Sequence, residues 1–320
     1  MKIHRFNWLS TIGMSLLGTG LLLSQPSSAR AQATLTSADV YEVRNNVTLN
    51  SRAASVGDRM VPQDALRTGA RSRADLIFNE GTLVRTGEGT TFRFPAGQRS
   101  FELIDGTTLL MIRPGLGASR ITTPEATIVA SGTALFVQHD PATNASLIGV
   151  LTESPAGPVT VTSADGEVSV QLNAGQFVSV ANGVVGLMEH FILPMFYDTV
   201  DLAVGLAPED TAFVGQQSAA VQQTLNAVRA ESIPPFNAQL TSIGGLCQQG
   251  LGTLDQMMQQ MPLAQLLPGA LTPNKISSTI SAQMANVDIA VTPMRSLAGI
   301  AWVGDYCLSQ QPTAASDDAK

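Results

Sequence analysis

The chain of 320 residues carries 18 basic and 25 acidic side chains, a formal net charge of −7, with 44% hydrophobic and 5% aromatic residues. That hydrophobic share excludes a disordered chain. The acidic surplus excludes a protein that neutralises nucleic-acid phosphates.

At the N-terminus, Lys2 and Arg5 precede an apolar or small stretch from Leu9 to Leu23. Small residues follow in an A-x-A pattern, Ala29-Arg30-Ala31 or Ala31-Gln32-Ala33. These are the three parts of a secretory signal peptide, 1–33, cleaved after Ala33 or, alternatively, after Ala31. The run is shorter than the roughly 20 residues of a membrane span. Further on, Glu189, His190, Pro194, Asp198 and Asp201 interrupt the most apolar segment, 187–206, so it does not read as a span either. The expected location is periplasmic or secreted, with no membrane span after processing.

Residues 34–186 read as one β domain, because apolar residues alternate with polar ones between turn residues. Ala74, Leu76 and Phe78 face one way, and Arg73 and Asp75 the other. Asn79-Glu80-Gly81 is a hairpin loop closed by Gly. Phe92 and Phe94 mark another half-buried strand. Val159 and Val161 lead to an Asp165-Gly166 turn, from which Val168, Val170 and Leu172 return. Asn173-Ala174-Gly175 and Asn182-Gly183 bracket a last strand, Phe177–Val180.

After residue 186 the period changes, and 187–310 read as a mostly α-helical domain with a disordered acidic tail at 311–320. Pro208-Glu209-Asp210 marks a helix start. Val214, Val221, Leu225 and Val228 share one helical face, as do Phe236, Leu240, Ile243 and Cys247, continuing to Leu254, Met258 and Met261. Ile276, Ile280, Met284, Val287 and Val291 form a third stripe, and 297–303 a possible fourth. Connections are expected at Pro234-Pro235, Pro262, Pro268 and Pro273. The methionines fill a core or line a ligand groove. The two cysteines, Cys247 and Cys307, read as a disulfide in an oxidising compartment, the alternative being two buried thiols. With no His near either, zinc is not expected.

Within the β region stand Gly57-Asp58, Asp64, Leu66-Arg67-Thr68-Gly69, Ser72, Ala74, Leu76, Phe78, Gly81-Thr82 and Val84-Arg85. Further on come Leu109-Leu110, Thr123-Pro124, Ala126, Gly132-Thr133, Phe136 and the turn Leu172–Gln176 with Gly175. This pattern resembles the FecR domain, named for a periplasmic regulator of iron-citrate transport, over about residues 36–182. The resemblance implies an all-β FecR-like domain (a roll, sandwich or short solenoid) and an envelope location. Regulators of that type carry a cytoplasmic anti-sigma region and a membrane span ahead of the domain. Here a signal peptide is read in that place, which leaves a regulatory role as the alternative. Physically the signature is structural: glycines for turn geometry, and Asp58, Asp64 and Thr68 to satisfy turn backbone groups.

No constellation reads as catalytic. His139, beside Asp140, looks like an exposed strand end, and His190, beside Glu189, like surface or linker. No serine sits in a nucleophile elbow, and no phosphate loop or metal motif occurs. The expectation is therefore a protein that is not an enzyme and uses no cofactor and no metal. The β half holds arginine as its only strong base. Arg67, Arg71, Arg73, Arg85 and Arg93 are possible contacts for an anionic ligand, the plainer reading being solvated strand faces paired with acids. The expected work is non-catalytic binding of envelope protein or polysaccharide, with an iron-transport-type periplasmic sensor as the alternative.

Overall fold

The computed structural model describes residues 34–248 together with Tyr306, Cys307, Ser309 and Gln310. The expected signal peptide at 1–33, the apolar stripes beyond residue 248 and the expected acidic tail at 311–320 lie outside the described residues.

Strands come first. They are β1 (Ala38–Arg44), β2 (Val47–Leu49), β3 (Arg52–Ala53), β4 (Arg59–Met60), β5 (Leu66–Thr68), β6 (Arg73–Phe78), β7 (Leu83–Thr86), β8 (Thr91–Arg93) and β9 (Ser100–Met111). After them run β10 (Ser119–Thr122), β11 (Ala126–Ala130), β12 (Ala134–Asp140), β13 (Ala145–Val150), β14 (Val159–Ser163), β15 (Ser169–Leu172), β16 (Gln176–Ala181), β17 (Val184–Val185) and β18 (Glu189–His190). One sheet, A, has the order β4-β1-β6-β7-β9-β12-β13-β16, with β17 and β18 both beside β16. The other, B, has the order β3-β2-β5-β8-β9-β10-β11-β14-β15. Every pair is antiparallel except β9–β10.

Strand β9 belongs to both sheets. Its first half pairs with β8 and β10 in sheet B, and its second half with β7 and β12 in sheet A. The crossing is made at Gly106, whose φ is +82°. A Cβ there would stand 2.5 Å from the Cα of Thr90 and 2.8 Å from the Gly89 carbonyl oxygen, so only glycine fits.

The expected alternation holds and makes the core between the sheets. Leu76, Phe78, Val84, Leu110 and Val137 of sheet A meet Leu66, Phe92, Phe101, Ile121 and Ile128 of sheet B. Phe78 stands edge-on to Phe94 and Phe101, with ring centroids 5.1 Å apart in each case. Both hairpins read from the sequence form, with Gly81 at φ +99° and Gly166 at φ +81°.

The fold is therefore a β domain followed by a helical region. Helices α1 (Leu193–Thr199), α2 (Thr211–Gly215) and α3 (Ala219–Gln248) lie in that region, with a 3₁₀ turn at Asp201–Ala203. Sequence separates them from the strands, but packing joins them to the sandwich. Phe136, Leu109, Met111 and Phe177 on the outer face of sheet A share one apolar core with Phe191, Phe196, Leu206, Leu225 and Phe236. Phe136 stacks on Phe196 at 5.3 Å. The central strands of sheet A, β6, β7, β9 and β12, are thus buried on both faces.

The stop expected at Pro234-Pro235 does not occur, and α3 runs through both prolines. An internal proline costs about 3 kcal/mol because it removes a backbone donor. Here Pro235 leaves the Glu231 carbonyl without its helical partner, and the Glu153 N–H supplies one at 3.2 Å. Val228 and Phe236, on either side of the prolines, are buried in the same core, which holds the helix in line. Cys247, near the end of α3, is disulfide-bonded to Cys307. Among the described residues no helix is long and apolar enough to cross a membrane.

Candidate functional site

Two places in the fold gather charged side chains, one sealed and one open. The sealed one lies between sheet A and the helical region. Asp75 on β6 accepts two hydrogen bonds from Arg73, Nε and Nη2, at 2.7 Å each. The Arg85 Nε stands 3.2 Å from the same carboxylate. Arg73 also reaches the Asp201 carbonyl at 2.8 Å and its carboxylate at 3.1 Å, while Arg85 donates to the Leu202 and Val204 carbonyls. The Arg85 guanidinium sits 5.9 Å over the Phe213 ring.

Side-chain exposure here is 4% for Arg73, 0% for Arg85 and 1% for Asp75. Burial alone would depress Arg73, but its hydrogen bonds to Asp75 and the charges of Asp75, Glu42 and Asp201 push it above its ordinary value. Burial would raise Asp201, yet Arg73 and Arg44 hold it below the usual carboxylate range. Burial and the Asp75 charge raise the nearby Tyr41 hydroxyl. Two of the five arginines expected to meet an external anion are therefore corrected. Arg73 and Arg85 clamp the helical region to the sheet, because a buried guanidinium requires a carboxylate and carbonyls around it.

The open place is the outer face of sheet B, which no described element covers. Arg67 projects there between buried Leu66 and Thr68, Arg93 between buried Phe92 and Phe94, and Arg120 between buried Ser119 and Ile121. Arg67 pairs in register with Thr91, two residues before Arg93. Arg93 pairs with Glu102, whose strand-mate Ser100 pairs with Arg120. The three arginines thus run diagonally across β5, β8, β9 and β10. Ion pairs hold Arg44, Arg52, Arg59, Arg73, Arg85 and Arg99, but none joins Arg67, Arg93 or Arg120 to a carboxylate among the described residues. Beyond them lie a polar row, Thr122-Thr127-Thr162-Ser169, and a row polar except at Val129, Arg120-Val129-Thr160-Gln171. The second row ends at an open cleft of about 460 Å³, lined by Gln98, Arg99, Ser100, Ser119, Arg120 and Val129. Arg71, the fifth expected contact, lies off this face in a turn at φ +52°, beside a smaller cleft of about 280 Å³ with Arg44, Arg73 and Asp201.

Residues 64–152, less than a third of the chain, match the family model described as FecR protein. This segment is similar to a FecR domain. It spans β5 to β13, so Arg67, Arg93 and Arg120 all belong to it. Two crystal structures of a candidate anti-sigma factor from Parabacteroides distasonis ATCC 8503, at 1.65 and 2.50 Å resolution, are also similar. Their identities are 19% and 20%, each with a TM-score of 0.34 over 39% of this chain. The matched part spans 59% of the length of those chains. No curated protein matches in sequence.

The FecR signature residues sit at turns and in the core. Thr68 Oγ1 donates to the Gly87 carbonyl at 2.5 Å and accepts from the Thr90 N–H at 2.8 Å. Asp64 accepts from the Val61 N–H at 2.8 Å, and Thr133 donates to the Thr152 carbonyl at 2.7 Å. Leu66 is core, and the Gly69 N–H donates to the Asn46 carbonyl. Gly132 turns at φ +62° against Pro114. Outside the matched segment, Asp58 accepts from the Ser55 N–H and pairs with Arg52, beside Gly57 at φ +92°. Two signature glycines also meet α3. The Gly81 carbonyl accepts from Thr224 at 2.6 Å, and Gly175 lies against Gln239.

The histidines are placed differently from expectation. His139 is 2% exposed rather than an open strand end, because its side chain points between the sheets. Its Nδ1 stands 3.0 Å from Ser146 Oγ, which shares a 2.7 Å hydrogen bond with Thr123. His190 is not linker but pairs in β18 with Gln176 of β16. Among the described residues no His, Cys, Asp and Glu cluster fit for a metal occurs.

Proposed function

We propose that this is an exported, non-catalytic binding protein of the bacterial envelope that meets its ligand with the outer face of sheet B. One observation carries the reading. The helical region occupies the outer face of sheet A, while sheet B carries three arginines without carboxylate partners on a polar face. The N-terminal pattern of basic, apolar and small residues supports export. The test incubates protein of residues 34–320 with a washed envelope fraction and measures how much is retained. The variant Arg67→Gln/Arg93→Gln/Arg120→Gln should lose most of that retention, and equal retention would overturn the reading.

The FecR-like segment favours a second reading, a periplasmic sensor in iron-transport-type signalling. It predicts a stoichiometric complex with the periplasmic part of an outer-membrane receptor. Binding to isolated envelope polysaccharide with no receptor present would speak against it.

A further inference from the structure

We infer that the ligand of the sheet B face is a carboxylated polysaccharide, an inference that rests on that face being the binding surface. The charge argument is local. Two acids stand in the same rows, Glu102 beside Arg93 and Asp105 beside Thr91, the register partner of Arg67, so three arginines face two carboxylates on this face while the whole chain is net −7. A generic polyanion binder would spread its positive charge; here it is a single diagonal on one face. The Arg67 and Arg93 backbones stand at diagonal cross-strand positions, about 7–8 Å apart, and Arg120 continues the line two strands on. A guanidinium grips a carboxylate with two parallel hydrogen bonds, so such a line fits acid groups recurring along a chain.

The remaining side chains decide which kind of acidic chain. Thr127, Thr160, Thr162, Ser169 and Gln171 offer both donors and acceptors, which matches a partner made of hydroxyl groups. No aromatic side chain stands in these rows, so bases have no stacking platform and nucleic acid is disfavoured. Peptides are bound along sheet edges or in apolar grooves, whereas the arginine line lies on β5, β8 and β10, away from both edge strands of sheet B. The cleft beside Arg120 extends it with the Gln98 amide and the Ser100 hydroxyl.

The test is affinity electrophoresis of protein of residues 34–320 in gels holding polygalacturonate, neutral dextran, poly-glutamate or polyphosphate. Polygalacturonate alone should retard the protein, and about 0.2 M salt should weaken the retardation severalfold. The triple glutamine variant should run unretarded with an unchanged melting temperature. Arg120→Glu alone, at an exposed position, should lose most of the effect. Dextran retarding equally would remove the charge argument; poly-glutamate or polyphosphate retarding equally would remove the polysaccharide. Envelope retention without polygalacturonate binding would overturn this inference while leaving the proposed function standing.

Discussion

Asp75 and Arg85 face each other across β6 and β7, with Arg85 Nε 3.2 Å from Asp75 Oδ2 and both side chains shut off from solvent. The two are not equivalent. Asp75 is the carboxylate for two guanidiniums, Arg73 and Arg85, whereas loss of Arg85 leaves Asp75 paired with Arg73. Asp75→Asn should therefore destabilise the protein by about 3–5 kcal/mol, the range for stranding buried charge. Arg85→Met should cost less, about 1–3 kcal/mol, from the unmet Leu202 and Val204 carbonyls. Urea denaturation of both variants measures the order, and an Arg85→Met loss exceeding that of Asp75→Asn would contradict it.

Gly106 is the hinge by which one strand serves two sheets. Ala at its φ of +82° costs more than ~1 kcal/mol before the contact with Thr90 is counted. Gly106→Ala should therefore be among the most damaging single-methyl additions. Gly149→Ala should also destabilise, by ~1–3 kcal/mol, because its Cβ would enter the Phe136 ring at 2.1 Å. Thermal unfolding of the two variants checks both.

These positions show what a single sequence conveys. Alternation around Leu76, Phe78, Val159 and Val161 reveals strands, since burial on one face writes a period of two. It does not reveal that the opposite face is buried too. Arg73, Asp75 and Arg85 look like solvated polar positions until the helices that cover them are in place. Pro234-Pro235 misleads for a related reason, since the compensating donor on Glu153 comes from a distant loop. The arginine line on sheet B was half legible: Arg67 and Arg93 stand out by composition, but Arg120 joins them only through the β9–β10 pairing.

The shared core of sheet A and the helices predicts how truncation behaves. A fragment of residues 34–186 bares Phe136, Leu109, Met111 and Phe177, and with them the Asp75 cluster. A fragment of residues 34–248 keeps them covered. The shorter fragment should bind an apolar dye such as ANS strongly and self-associate, while the longer should do neither. Equal dye binding and equal melting temperatures would show that the β region stands alone.

His139 gives a pH dependence with a defined sign. Burial lowers it below its ordinary 6.5, outweighing the charges of Asp105, Glu125 and Asp140 and the Ala145 backbone contact. As pH falls, the unfolded chain therefore takes up the proton before the folded one. The stability contributed by the neutral ring is complete above about pH 6.5 and is lost progressively below it. Asp201, also lowered, contributes stability that is lost only as pH falls through its still lower range. Melting temperature should decline between about pH 7 and 5 in the native protein and less so in His139→Gln. Parallel profiles would exclude His139 as the source.

The Cys247–Cys307 bridge joins residues 60 apart in sequence. Closing a loop of that length removes unfolded-state entropy worth about 4 kcal/mol in the chain-entropy model, with less realised when the reduced chain keeps residual structure. Cys247 lies one turn beyond Ile243, which is buried near the end of α3, so the bridge anchors the helix that covers sheet A. Reduction should therefore lower the melting temperature by several degrees. The double variant Cys247→Ser/Cys307→Ser should melt at the reduced protein's temperature and be indifferent to reductant. Thiol titration of denatured, unreduced protein should find no free thiol. Two thiols per chain would refute the bridge, and an unchanged melting temperature on reduction would show that the core with sheet A holds α3 without it.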